Sequence, residues 1–226
     1  MQYFTKEYID FFKELEKNNH KDWFDLNRKR YEEHVKKPFK IFVERMIFLT
    51  QTDDKTIAVE SKNCLFRINR DIRFSKDKTP YKTHMSAAIS RNGKKEMGIP
   101  GLYFQLSHKG IGIFGGVYNP TKEQLEDIRY QIANDISGFQ EAITTKEFKK
   151  YWGSIKGAKN KILNKDLKPI AEKEPLLFNK QFYYGAEIDA KNITSDNLDQ
   201  TIFDYYLASK SIRVYLTKAI GAWVSN

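Results

Sequence analysis

Cysteine is almost absent from this chain of 226 residues: Cys64 stands alone, so no intramolecular disulfide can form. Within Asn63-Cys64-Leu65-Phe66 its thiol reads as a small buried apolar group rather than a nucleophile. Histidine is scarce too. His20, His34, His84 and His108 lack the short spacing of a zinc pair, and with the acids isolated no metal site is expected. No cofactor is expected either: the glycines of Gly115-Gly-Val-Tyr-Asn-Pro-Thr121 match neither GxxxxGK[ST] nor GxGxxG. No Ser-His-Asp or Cys-His arrangement is legible from spacing. Long apolar runs are missing. The best is Met46-Ile-Phe-Leu49, far short of the ~20 residues that cross a bilayer. Met1-Gln-Tyr-Phe-Thr-Lys-Glu7 lacks the basic-then-apolar profile of a secretion signal. The expectation is a soluble, cytoplasmic protein without membrane association. With no repeat, low-complexity tract or linker, one domain over 1–226 is expected. The sequence leaves the oligomeric state open.

What is present in quantity is aromatic and basic. The chain has 16 Phe, 13 Tyr and 3 Trp, and 40% hydrophobic residues, ample for a packed core and too apolar for disorder. Lys and Arg number 39 against 29 acids, a formal charge of +10, which favours anionic partners without naming one.

Apolar periodicity predicts three N-terminal helices: Thr5 to about Lys17, Lys21 to Val35, and one from Pro38 that ends at Asp53-Asp54. The period then changes to two. Met85, Ala87 and Ile89 alternate with His84, Ser86 and Ser90; Leu102, Phe104 and Leu106 alternate with Tyr103, Gln105 and Ser107; Ile111, Ile113 and Gly115 follow. These read as a β-meander with a tight hairpin at His108-Lys109-Gly110. A helix from Pro120-Thr121 to Ile136 stopped by Gly138 comes next. After it are expected a short helix at 146–151, an irregular stretch at 153–173, a strand at 181–188, and helices near 197–207 and 212–224. The fold class expected is α+β, with N-terminal helices, a central mainly antiparallel meander and C-terminal helices.

The stretch Arg67-Ile-Asn-Arg-Asp-Ile-Arg-Phe-Ser-Lys-Asp-Lys-Thr-Pro-Tyr-Lys82 gathers three arginines and three lysines around two aspartates and a tyrosine. Arginine is a permanently charged planar fork that matches phosphate and carboxylate. Asp71 and Asp77 neutralise at most two of the six cations. As extended backbone, 66–74 places Phe66, Ile68, Ile72 and Phe74 on a core face, with Arg70 interrupting, and Arg67, Asn69, Asp71 and Arg73 on the other. Three uses stand side by side. One is a site for an anionic, phosphate-bearing small molecule built from Arg67, Arg70, Arg73, Lys76, Lys78 and Tyr81. Another is a nucleic-acid interface continuing into Lys156, Lys159 and Lys161, with exposed aromatics as stacking platforms. The third is a structural ion-pair network completed by Asp22, Asp25 or Glu96. Candidate catalytic groups are Asp71 as base, Tyr81 as donor, and His84 as acid or base. Tyr118 and Arg129, at and beyond the Gly115-Gly116 junction, are secondary candidates for the same site.

Read as Arg67-x-x-Arg70-Asp71-x-Arg73-Phe74-x-x-Asp77-Lys78-x-x-Tyr81, the segment resembles the signature of the DUF2461 family. Asn18-Asn-His-Lys-Asp-Trp-Phe24 and Gly115-Gly-Val-Tyr-Asn-Pro120 are similar to that family as well, and the likeness weakens from about Phe139. The resemblance implies the extent of the domain and no particular chemistry. It also implies that Lys21 and Trp23 border the pocket.

Overall fold

The computed structural model describes residues 1–222. Helix α1 (Lys6–Lys17) buries Tyr8, Phe11, Phe12 and Leu15 at helical spacing and ends at Asn18. The expected single helix over 21–35 is broken into α2 (Lys21–Leu26), α3 (Arg28–Tyr31) and a π turn over Glu32–Lys36. Two local causes account for this. The Asn27 side chain donates to the Trp23 carbonyl oxygen at 2.9 Å, closing α2. Further on, Pro38 has no N–H to give, and the amide before it, at Lys37, reaches five residues back to Glu32. Helix α4 (Lys37–Asp53) follows directly and buries Phe39, Phe42, Val43 and Met46. Short α5 (Ser61–Cys64) follows; burial pushes the Cys64 thiol up to about 11, so it stays protonated.

Four strands form one antiparallel sheet in the order β1 (His84–Ile89), β2 (Gly101–Ser107), β3 (Gly110–Val117), β4 (Phe182–Ile188). The first three are the expected meander, with Ala87 opposite Phe104 and Phe104 opposite Ile113. The last returns from far along the chain to pair with β3, Gly115 facing Tyr184. Between them lie α6 (Lys122–Asn134), α7 (Ile136–Thr144), α8 (Lys146–Trp152) and α9 (Lys168–Ala171), the last inside the stretch expected to be irregular. Gly138 does not stop a helix. Asp135 ends α6 and starts α7 by accepting from the Gly138 amide at 3.0 Å, so close that a Cβ on residue 138 would meet the carboxylate at 2.3 Å. Helices α10 (Leu198–Ala208) and α11 (Lys210–Ala219) complete the order. Helix α11 stops at Ala219, so residues 220–222 of the last expected helix form a turn instead, and Trp223 and Val224 lie outside the described residues.

One face of the sheet carries the core. Phe39 and Phe42 of α4 meet Phe104 with ring centroids 5.9 and 5.5 Å apart, and the Tyr8 hydroxyl donates to Leu106 O at 3.0 Å. On β4, Tyr184 receives Phe148 and Trp152 of α8 at 5.3 and 4.8 Å. Its ring lies over Gly115, where a Cβ would come within 2.5 Å of it. Both sheet edges are covered: Leu65 bridges Ala87 on β1, and Lys156 bridges Tyr183 on β4. Among the described residues no helix is long and apolar enough to cross a membrane.

The end of α4 is tied to α11 through Asp53, which accepts from Lys210 Nζ and Arg213 Nη2 at 2.7 Å each; the Arg213 guanidinium also lies 3.8 Å over the Tyr206 ring. Burial alone would raise the Asp53 pKa, but the hydrogen bonds from the two cations outweigh it and the net shift is downward. Asp53→Ala strands a buried guanidinium and is expected to cost about 3–5 kcal/mol in urea unfolding at pH 7. A folded pKa below the unfolded one means that the contribution of Asp53 is present above about pH 3.9 and disappears as pH falls through the folded value. The stability gap between wild type and variant therefore narrows on acidification.

Candidate functional site

The cationic segment is a hairpin, not a strand. Phe66 N donates to Ser86 O at 3.0 Å, Lys82 N to Ile68 O at 2.8 Å and Arg70 N to Pro80 O at 2.9 Å, with Asn69 bridging Tyr81. Beyond Arg70 the turn is closed by side chains. Asp77 accepts from the Thr79 amide at 2.9 Å, the Arg70 guanidinium bonds Asp77 and Thr79, and Lys78 Nζ donates to Ile72 O at 2.9 Å. Arg73 forks onto Asp71 at 3.0 and 2.7 Å. The Thr79 amide and then Arg70 hold the Asp77 carboxyl down at about 2, and Arg73 lowers that of Asp71. Phe74, expected in the core, is 96% exposed with the Arg73 guanidinium 5.9 Å from its ring. The reason is physical: polar side chains turn the chain at 71–79 before a period of two can bring Phe74 back to the core.

The hairpin is clamped to the N-terminal helices through Tyr81. Asn19 donates to Tyr81 O at 2.9 Å and accepts from Tyr81 N at 3.1 Å, and Phe24 stacks on the Tyr81 ring at 4.0 Å. Burial, then Asp25, raises the Tyr81 hydroxyl pKa, which disfavours the phenolate. Trp23 packs on Phe11 at 5.6 Å and Lys21 is exposed. The stretch around Asn19 thus positions Tyr81, and neither Lys21 nor Trp23 lines the cavity described next.

That cavity, about 380 Å³, lies on the sheet face opposite the core. Its aromatic walls are Tyr103, Phe114, Tyr118 and Tyr183; Tyr103 and Phe114 are 5.9 Å apart, Tyr118 and Tyr183 5.3 Å. Glycines make room. A Cβ on Gly185 would strike the Phe114 ring at 2.4 Å, and Gly116 has φ +85°, a backbone state few side chains tolerate. The connection from β1 to β2 forms the remaining wall, held where Met97 O accepts from Tyr118 N at 3.3 Å and Asn119 N at 3.2 Å. Gln105, Glu96 and Ser90 supply polar groups.

Residues 7–215 match the family described as a conserved hypothetical protein, DUF2461. The chain belongs to the DUF2461 family. No curated protein and no solved structure matches it. The family match spans both the hairpin and the cavity.

Against the expectations for this DUF2461 chain, the structure brings Arg70, Arg73 and Lys78 into one hairpin but engages each locally, while Arg67 and Lys76 are exposed. Asp22, Asp25 and Glu96 do not complete the network; its acids are Asp71 and Asp77, within the segment. Tyr118 lines the cavity. Arg129 does not join it: the guanidinium is buried, bonded at 2.9 Å to the carbonyl oxygens of Leu177 and Asn179, where it satisfies a turn. Thr121 and Gln124 cap α6 reciprocally, so the amides at its start are already engaged. His84, a candidate acid or base, is half-buried; burial and then Lys82 push its pKa down to about 4, so it is neutral at pH 7. Among the described residues no group of three or more His, Cys, Asp or Glu could hold a metal ion. Tyr103, Phe114 and Tyr183 line the cavity without any charge to mark them in the sequence. Their signal was the alternate register of the strands, aromatic where a solvated face would be polar.

Asn19→Ala leaves the amide and carbonyl of Tyr81 without their partner. We expect a loss of about 2 kcal/mol in urea unfolding and faster hydrogen exchange at the Tyr81 amide. An unchanged exchange rate would show that Asn19 does not clamp Tyr81.

Proposed function

We propose that this protein binds a small organic anion and seats the flat, apolar part of that molecule in the aromatic cavity on the open face of the sheet. The observation that carries the reading is the cavity itself. At about 380 Å³ with four aromatic walls and few polar groups, it has the size and lining of a ligand site, in the range of about 300–1,000 Å³. The anionic character is supported by the charge left over on the hairpin. Asp71 and Asp77 are taken by Arg73 and Arg70, and among the described residues Arg67 and Lys76 have no carboxylate within 4.0 Å. The test is a titration of 1-naphthol followed by calorimetry. Tyr118 is 57% exposed, so Tyr118→Ala leaves the melting temperature in place while affinity falls about tenfold, the worth of one aromatic contact. Unaltered affinity sinks the reading.

A second reading rests on Phe74. A ring 96% exposed beside the Arg73 guanidinium, two residues before the exposed Lys76, suits base stacking with phosphate contact. It requires that binding to a single-stranded oligonucleotide weaken with salt, with a log–log slope of about −0.7 per phosphate contacted. Phe74→Ala should then reduce that binding and leave 1-naphthol untouched. Salt-independent or absent binding ends this reading.

A further inference from the structure

We propose that the charged group of the ligand rests on Lys82 and Arg67 beside the Phe66 ring, rather than on Arg70 and Arg73, and that the ligand is a ring-bearing phosphate with a sugar-length spacer between ring and charge. This inference rests on the cavity reading above and specifies its second half.

Two lines of geometry lead from the cavity to this spot. Tyr103, a cavity wall, meets Phe66 edge-on with centroids 6.0 Å apart, and the Lys82 ammonium lies 5.4 Å over that same Phe66 ring. Along β1, His84, Ser86 and Ala88 share the face away from the core, with Ser86 and Ala88 buried; Ala88 and Ser90, just past the strand, are part of the cavity lining. At ~3.3 Å per residue, His84 and Ala88 are about 13 Å apart. A ring seated at the Ala88 end therefore needs a spacer before its charge reaches Lys82, and a ring-bound phosphate without one falls short.

Among the described residues none of the three basic groups at this end has a carboxylate within 4.0 Å, although the charge of Asp71 acts on Arg67 from further away. Among the described residues neither the Arg67 guanidinium, the Lys82 ammonium nor the His84 imidazole has a hydrogen-bond or ion-pair partner, whereas Arg70 and Arg73 each hold an aspartate. Lys82 is half-buried, and burial followed by repulsion from Arg67 lowers its pKa; Lys82 in turn depresses His84. A half-buried ammonium next to an exposed guanidinium is unfavourable until an anion joins them. Their backbone is already fixed by the bonds from Phe66 N to Ser86 O and from Lys82 N to Ile68 O, so a phosphate arriving there orders little new chain.

The experiment compares neutral ring compounds with their phosphates: adenosine with adenosine 5′-monophosphate, and riboflavin with flavin mononucleotide, each titrated calorimetrically into the full chain. In at least one pair the phosphate is expected to bind tenfold or more tightly than its neutral partner. That gain should vanish in Lys82→Met and shrink in Arg67→Gln, while Arg73→Gln keeps it. The His84 imidazole resonances should shift with the phosphate and not with the neutral compound. Equal affinities within both pairs, or a gain that survives Lys82→Met, overturn the assignment. If 1-naphthol binds while both pairs fail, the cavity stands and the spacer-bearing phosphate is excluded. If 1-naphthol fails as well, the cavity reading falls first and this inference with it.

Discussion

Everything in this fold follows from a sheet that packs its aromatic core against helices on one face. Phe39, Phe42, Phe148 and Trp152 press onto Phe104 and Tyr184 from the same direction, and the hydrophobic gain is collected there. The opposite face is left to side chains that need no helix above them. Tyr103, Phe114 and Tyr183 lie along it, Gly185 gives the Phe114 ring its place, and the connection from β1 to β2 stands beside them. A cavity results because a sheet covered by helices on one side and by short connections on the other cannot close both faces to equal density.

The hairpin beside β1 solves a different problem. It carries six cations and two acids within sixteen residues, and it folds by satisfying most of that charge internally. Arg70 and Asp77 brace the turn, Arg73 and Asp71 form an exposed fork, and Asn19 fastens Tyr81 to the helical layer. Of the cations left without a carboxylate, Arg67 and Lys82 sit at the base of the hairpin and Lys76 in its turn. The three stretches that resemble the DUF2461 family therefore have distinct duties. Asn18–Phe24 clamps, Arg67–Tyr81 turns and carries charge, and Gly115–Pro120 bends β3 so that Tyr118 reaches the cavity.

Much of the architecture was legible because it depends on local chemistry. Periods of 3.6 and 2 located α1, α4 and β1 to β3, and the stretch 181–188 was readable as a strand, though its place beside β3 was not. Where local signals competed, the finer one prevailed: Asp135 as a cap over Gly138 as a stop, and Pro38 acting upstream of its own helix turn. Phe74 was misplaced because alternation was extended through residues whose side chains hydrogen-bond one another. Arg129 was misplaced because a guanidinium in sequence carries no sign of whether a carbonyl or a ligand awaits it.

The sequence by itself determined the class of fold, the family, the excess of cations and their concentration between Arg67 and Lys82. Those properties are sums and periods over neighbouring residues, and no distant contact alters them. The tertiary structure decided which cations are engaged and which are not, and that the second face of the sheet is aromatic and open. Both are facts about residues far apart in the chain. Asn19 meets Tyr81, Phe66 meets Tyr103, and Tyr118 meets Tyr183 only once β4 has returned to β3 and the hairpin has settled against β1. A charge pattern fixes how many cations a segment carries; the packing of distant elements fixes which of them are left without a partner.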